Sequence, residues 1–127
     1  MTTVTSGISF MRMMIAAAIA LATASPVWAD LVKVDDQGQF VQLINGKTLT
    51  RPLIKIKVSP DGEIAGRGSL WDIEGSWSWQ DGYFCRDLFW GGDELGYNCQ
   101  EVQASADGRI KFTSDRGAGD SAMFSLR

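Results

Sequence analysis

From residue 53 onward, apolar and polar residues alternate in short runs separated by glycine-containing turns. Along Leu53 to Val58, Ile54, Ile56 and Val58 fall on one side and Lys55 and Lys57 on the other, the period of two of a strand with one dry face. Ser59-Pro60-Asp61-Gly62 then suits a hairpin with a three-residue loop closed by a left-handed glycine, which sets Val58 beside Ile64. Ala106-Asp107-Gly108 repeats the device and places Val102 beside Phe112 and Ala104 beside Ile110. Gln80-Asp81-Gly82 is a third turn of this kind. The pattern predicts strands over 53–58, 63–68, 70–79, 83–90, 97–105, 109–114 and 121–126, with an eighth near 31–34. Phe40, Val41 and Ile44 at helical spacing, with Asn45-Gly46 as a stop, predict a short helix from Gln37 to Ile44 that plugs one end. A meander this long closes or folds over to hide its edges. The expected fold is all-β, a small antiparallel barrel or sandwich of about 7–8 strands with one short N-terminal helix.

The densest stretch is Gly75 to Gly92, GSWSWQDGYFCRDLFWGG, with six aromatics, a cysteine and an Arg-Asp pair. Its first arm puts Trp71, Ile73, Gly75, Trp77 and Trp79 on a dry face and Asp72, Glu74, Ser76, Ser78 and Gln80 on a wet one. In its second arm Phe84, Leu88 and Trp90 share a face with Arg86, and Tyr83 and Phe89 share theirs with Cys85 and Asp87. The turn decides which charge goes inside. A two-residue Asp81-Gly82 turn sets Trp77 opposite Arg86, whereas a three-residue turn sets Trp77 opposite Cys85 and carries Asp87 inward. The tight turn is preferred, because it buries three large apolar residues beside an arginine whose planar cation stacks on a tryptophan face. Arg86 then either closes a barrel end against Trp77 or anchors an anionic ligand in an aromatic-lined cavity. Trp71, Trp77, Trp79, Trp90 and Tyr83 are the other ligand-binding candidates, against the alternative that they only fill the core.

The segment MRMMIAAAIALATASPVWA joins Arg12, an apolar run from Met13 to Ala24, and small residues at Val27 and Ala29, the layout of a secretory signal peptide over 1–29. The run is too short to span a bilayer. The mature chain then begins at Asp30 and forms one domain over 30–127, periplasmic or secreted. It holds all fifteen acids and eleven of the twelve Lys and Arg, a net charge of −4, with no clustered basic face for nucleic acid. Cys85 and Cys99, an even pair in an exported chain, are expected to form a disulfide.

Catalytic signatures are sparse. With no histidine there is no Ser-His-Asp triad and no H-E-x-x-H metal site, and Ser76 and Ser78 lack a G-x-S-x-G context. Asp115 to Asp120 lacks the oxygen spacing of a calcium loop. No metal or cofactor is expected. Glu74 and Asp87 are the carboxylates that a hydrolase reading would use.

The W-x-W-x-x-G-Y-x-C-R-D run from Trp77, the Gly96-Tyr97-Asn98-Cys99-Gln100 stretch and the segment from Lys111 to Phe124 resemble a family of small exported alphaproteobacterial proteins of unknown function. Some members carry the label dihydrodipicolinate reductase. The label does not fit these residues, since Gly66-Arg67-Gly68-Ser69-Leu70-Trp71 has tryptophan at the third glycine position and lies in a strand pattern. The resemblance implies the β fold and the disulfide and adds no chemistry.

Three functions are open at this point. One is a module binding a small amphipathic, anionic or lipid-like ligand among the tryptophans; another is an envelope-associated structural or interaction protein with a packed core. The third is a carboxylate-dependent hydrolase. Pattern alone sets neither the ligand nor the oligomeric state. Cleavage after Ala29 is tested by intact mass on exported material: a chain starting at Asp30 is expected, and one retaining Met13 to Ala24 would contradict it.

Overall fold

Two-residue alternation and Asp-Gly turns translate directly into a closed sheet in the computed structural model, which describes residues 29–127. The elements are β1 (Val32–Lys33), α1 (Gln37–Ile44), β2 (Leu49–Arg51), β3 (Ile54–Val58), β4 (Glu63–Gly68), β5 (Trp71–Gln80), β6 (Tyr83–Trp90), β7 (Asp93–Ala104), β8 (Arg109–Thr113) and β9 (Ser121–Leu126). Strands β2 to β9 pair with their sequence neighbours, and β9 pairs back onto β2, so eight antiparallel strands close an up-and-down barrel. Closure is completed at Thr48 and Arg127, whose backbones exchange both N–H···O bonds. The short β1 lies outside this ring and pairs with the C-terminal end of β7. The predicted signal peptide lies outside the described residues, apart from its last position, Ala29.

Both three-residue loops form as their composition predicts. Ser59 pairs its N–H with the Glu63 carbonyl, Ser105 pairs with Arg109, and Gly62 and Gly108 sit at φ of 99° and 88°. In each loop a serine hydroxyl, Ser59 or Ser105, donates to the turn aspartate and holds the Asp61 or Asp107 carboxyl below its ordinary range. The Asp81-Gly82 turn has two residues, with φ of 53° and 85°, so Gln80 pairs with Tyr83 and Trp77 with Arg86.

Three features depart from the predicted strands. The eighth barrel strand is Leu49–Arg51, whereas Val32–Lys33 is only an accessory ladder. Proline at 52 and a strand of three residues conceal β2 from a period-two reading. Strand β7 begins at Asp93, four residues before its predicted start. Gly91-Gly92 is a two-residue hairpin turn, and a bulge near Leu95-Gly96 restores the register with β6. Trp71, predicted on a dry face, is 56% exposed, because β5 runs past the end of the packed lumen before it reaches that residue.

Antiparallel strands put their turns alternately at the two ends of the barrel. The Ser59 to Gly62, Asp81-Gly82 and Ser105 to Gly108 turns lie at one end with α1. Asp36 caps the helix by accepting from the Gln39 N–H at 2.8 Å. Its apolar face sends Phe40 and Ile44, both fully buried, into the barrel. Phe40 lies 5.1–5.2 Å, centroid to centroid, from Trp77, Trp79 and Phe84 and 6.3 Å from Phe112. This end is closed.

Along β3 to β5 the outer wall is polar, with Lys55, Lys57, Glu63, Arg67, Asp72 and Glu74 all exposed, unlike a lipid-facing barrel wall, whereas Phe89, Tyr97 and Met123 are exposed on the outside of β6, β7 and β9. Among the described residues no helix is long and apolar enough to cross a membrane. Cys85 and Cys99 face each other on β6 and β7 and are bonded. The bond closes a loop with a sequence separation of 14. Replacing both cysteines with alanine is expected to lower unfolding free energy by about 3 kcal/mol in denaturant titrations. An unchanged midpoint would show that the cross-strand ladder alone constrains this hairpin.

Candidate functional site

The other end of the barrel carries the Pro52-Leu53, Ser69-Leu70 and Gly91-Gly92 turns and the loop from Ser114 to Asp120. Just inside this mouth lies a cavity of about 170 Å³. Its floor is Phe84 and Phe112, the aromatics that meet Phe40 from below. Its walls are Leu49, Ile56, Val58 and Ile64 from β2 to β4, Leu88 from β6, and Ala122 and Phe124 from β9. Ile56, Leu88 and Phe124 are only half-buried, so the cavity reaches solvent.

Glycine keeps this region open. Gly66 and Gly75 occupy inward positions of β4 and β5 where other strands carry Ile, Val or Phe. A Cβ at Gly75 would run into the Asp87 carbonyl of β6, and one at Gly66 into the Lys55 carbonyl of β3. The neighbouring backbones therefore approach more closely here than a side chain allows, and the lumen receives no side chain from either position.

One charged side chain lines the cavity. Arg86 enters from β6 between Phe84 and Leu88, and its Nη1 donates to the Gly96 carbonyl at 2.7 Å. That carbonyl is offered by the β7 bulge, where the ladder with β6 shifts register. Among the described residues Arg86 meets no second acceptor and no carboxylate within ion-pair distance. Desolvation pulls its pKa below the ordinary value, and the neighbouring Asp87 charge partly offsets this. It stays a cation, as arginine does. Gln100, at an inward position of β7, is the other polar lining residue, and its amide donates to Ser114 Oγ at 3.0 Å.

The sequence candidates separate into three groups. Trp77 and Trp79 pack around Phe40, and Trp77 Nε1 donates to the Ser59 carbonyl at 2.9 Å, which locks the indole into the plugged end. Trp71 and Trp90 stand on the mouth, 56% and 39% exposed, with Trp90 Nε1 bonded to the Gly68 carbonyl at 3.0 Å. Tyr83 lies on the outer wall, its ring 5.5 Å from Lys33 Nζ and 5.3 Å from the Arg116 guanidinium. Of the six ligand candidates, only Arg86 lines the lumen cavity. Asp87 is on the outer face as the tight turn requires, yet it does not simply face solvent: its Oδ1 is buried and, among the described residues, accepts no hydrogen bond. Glu74 is exposed on the same outer face.

Sequence reasoning missed Ile56, Gln100, Phe112, Ala122 and Phe124 as lining residues. Gln100 carried a signal, since it shares the parity of Val102 and is thus a polar residue at an inward position. The backbone also marks the mouth. Leu53, Ser69, Asp115 and Arg116, four of the five non-glycine residues at positive φ among the described residues, lie on its turns. Asn98 holds the last of these loops, exchanging two hydrogen bonds with Asp115 at 2.8 and 2.9 Å. Among the described residues no group of three or more carboxylate or cysteine side chains is placed to hold a metal.

No family model, curated protein or solved structure matches the chain. Arg86→Ala is expected to cost roughly 1–3 kcal/mol, because it removes a charge-assisted bond and the packing of the aliphatic stem. Asp87→Ala, which breaks no hydrogen bond to a described residue, should cost less than about 1 kcal/mol. Chemical unfolding of both variants checks the order, and the reverse order would place the important charge on the outer wall.

Proposed function

We propose that this protein is an exported binding module, periplasmic or secreted, whose barrel takes a small amphiphile with one anionic group and a short apolar body. The observation that carries this reading is Arg86, a half-buried guanidinium on an apolar cavity whose one acceptor among the described residues is a backbone carbonyl. A buried cation is costly without a counter-charge, and an entering carboxylate or phosphate supplies it through the free N–H groups. The rest of the lining is aliphatic and aromatic, which suits the apolar part of the same molecule.

Size narrows the ligand. A cavity of about 170 Å³ corresponds to roughly five or six water-sized groups, so it admits a short chain or a single ring and not a long acyl tail. Closed eight-stranded barrels either fill their lumen with side chains or leave room for one small ligand. Here the plugged end follows the first course and the mouth the second. The disulfide and the signal-like N-terminal segment support export, and kinship with the small exported family belongs to the same proposal.

An interaction role is the second reading, favoured by Leu53, Leu70, Trp71 and Leu95, which are each more than half exposed on the turns and strand ends of the mouth. The two separate by calorimetric titration with hexanoate and its uncharged counterpart hexanol. Saturable hexanoate binding that Arg86→Met weakens by about tenfold or more is expected, since a charged hydrogen bond contributes about 1.5–3 kcal/mol. Hexanol binding as tightly as hexanoate, or neither binding, would overturn the anionic-ligand reading.

A further inference from the structure

A second concave feature lies on the rim of the mouth and uses different chemistry. It is a groove of about 350 Å³ lined by Trp71, Trp90, Gly91, Asp93 and Leu95. Both indoles are held before any ligand arrives. Trp90 is fixed by its Nε1 bond to the Gly68 carbonyl at 3.0 Å. Trp71 packs across the Gly91 turn so closely that a Cβ at Gly91 would lie 3.0 Å from its ring. That turn is itself tied to β5 by the Gly91 N–H, which donates to the Asp72 carbonyl at 2.8 Å. An aromatic with two side-chain torsions, held this way, loses little further freedom on binding.

The groove offers a narrow set of interactions. Trp90 has spent its one donor on Gly68, so it presents a ring edge and faces, and Asp93 is the single charged residue of the lining. A sugar needs several directional partners, and the side chains of this lining offer it two, the Trp71 N–H and the Asp93 carboxylate. A cation needs an electron-rich ring face and a counter-charge, which it has. The surrounding field has the same sign. Asp72 and Glu74 line the notch on the other side of Trp71, and the one cation there among the described residues, Arg67, is paired with Asp72 at 3.3 Å.

We infer that the Trp71–Trp90 groove is a binding site for an alkylammonium group, held by cation–π contact with the indoles and by the Asp93 carboxylate. The site stands apart from the Arg86 cavity in both position and charge. It therefore stands or falls separately from the lumen reading. It also accounts for two tryptophans at the mouth that the core does not use.

Choline is a suitable probe, and 3,3-dimethyl-1-butanol is its uncharged carbon isostere. In two-dimensional ¹H–¹⁵N spectra of the mature protein, choline should shift the indole N–H signals of Trp71 and Trp90 saturably and leave that of core-locked Trp77 in place. The isostere should bind at least about tenfold more weakly, the range of a partly desolvated cation–π contact plus a carboxylate. Trp71→Ala should abolish the response, and Asp93→Asn should weaken it several-fold. Both positions are exposed, so the variants retain the fold, which the unshifted Trp77 signal reports. Flotation with phosphatidylcholine vesicles, with phosphatidylglycerol vesicles as control, distinguishes a lipid head group from a free solute as the natural source. Equal shifts from choline and its isostere would reduce the groove to an apolar patch, and shifts that never saturate would overturn the site.

Discussion

Phe40 is the contact on which the arrangement of this barrel depends. A single ring on α1 meets aromatic side chains from the β5–β6 hairpin and from β8, well over twenty residues further along the chain. Hydrophobic burial of this cluster draws the helix into one end of the barrel and adds to the contacts that Phe84 makes with Trp77 and Phe112 across the lumen. Once that end is filled, the unoccupied space of the lumen lies toward the other end. The position of the cavity is thus a consequence of where the plug sits.

That asymmetry divides the chemistry as well as the volume. At the plugged end Phe40, Trp77, Trp79 and Phe84 pack in one aromatic cluster, and Trp77 also satisfies its N–H on the Ser59 carbonyl. Toward the mouth Gly66, Gly75 and Ala122 are small inward residues on the strands around Arg86, so volume is lost where a charge is gained. The turns there place left-handed backbone under Leu53 and Ser69, residues that pay a conformational cost glycine would avoid. The opposite end uses glycine at two of its turns and Asp81-Gly82 at the third. Local strain and apolar exposure therefore coincide at the mouth.

Two opposite charges meet at that mouth without pairing. Arg86 lies inside, with a carbonyl as its partner, while Asp93 lies outside on a tryptophan rim. Depth along the barrel separates them, since Asp93 pairs with Trp90 on the face that Arg86 shares but at the rim end of the β6–β7 hairpin. A molecule crossing the rim would meet the carboxylate and indoles first and the guanidinium afterwards.

Much of this was legible in the residues themselves. Period-two alternation and Asp-Gly turn chemistry determine Val58 against Ile64, Val102 against Phe112 and Ala104 against Ile110, because each pairing depends on a loop only two or three residues long. Helical spacing before Asn45-Gly46 determines α1, and two cysteines determine one disulfide. Trp77 opposite Arg86 was legible only as one of two registers, since Asp-Gly serves both turn lengths and the difference is settled by burial on both faces. Tertiary structure alone decided the rest. Leu49–Arg51 becomes a barrel strand because β3 and β9 flank it, although three residues before a proline have no strand pattern of their own. Trp71 keeps the parity of the core yet stands in solvent, because alternation specifies a face and not a depth along the barrel. The cavity unites Leu49, Phe84, Gln100 and Phe124, whose proximity arises from closure of the ring, and closure is a long-range pairing that no local pattern encodes.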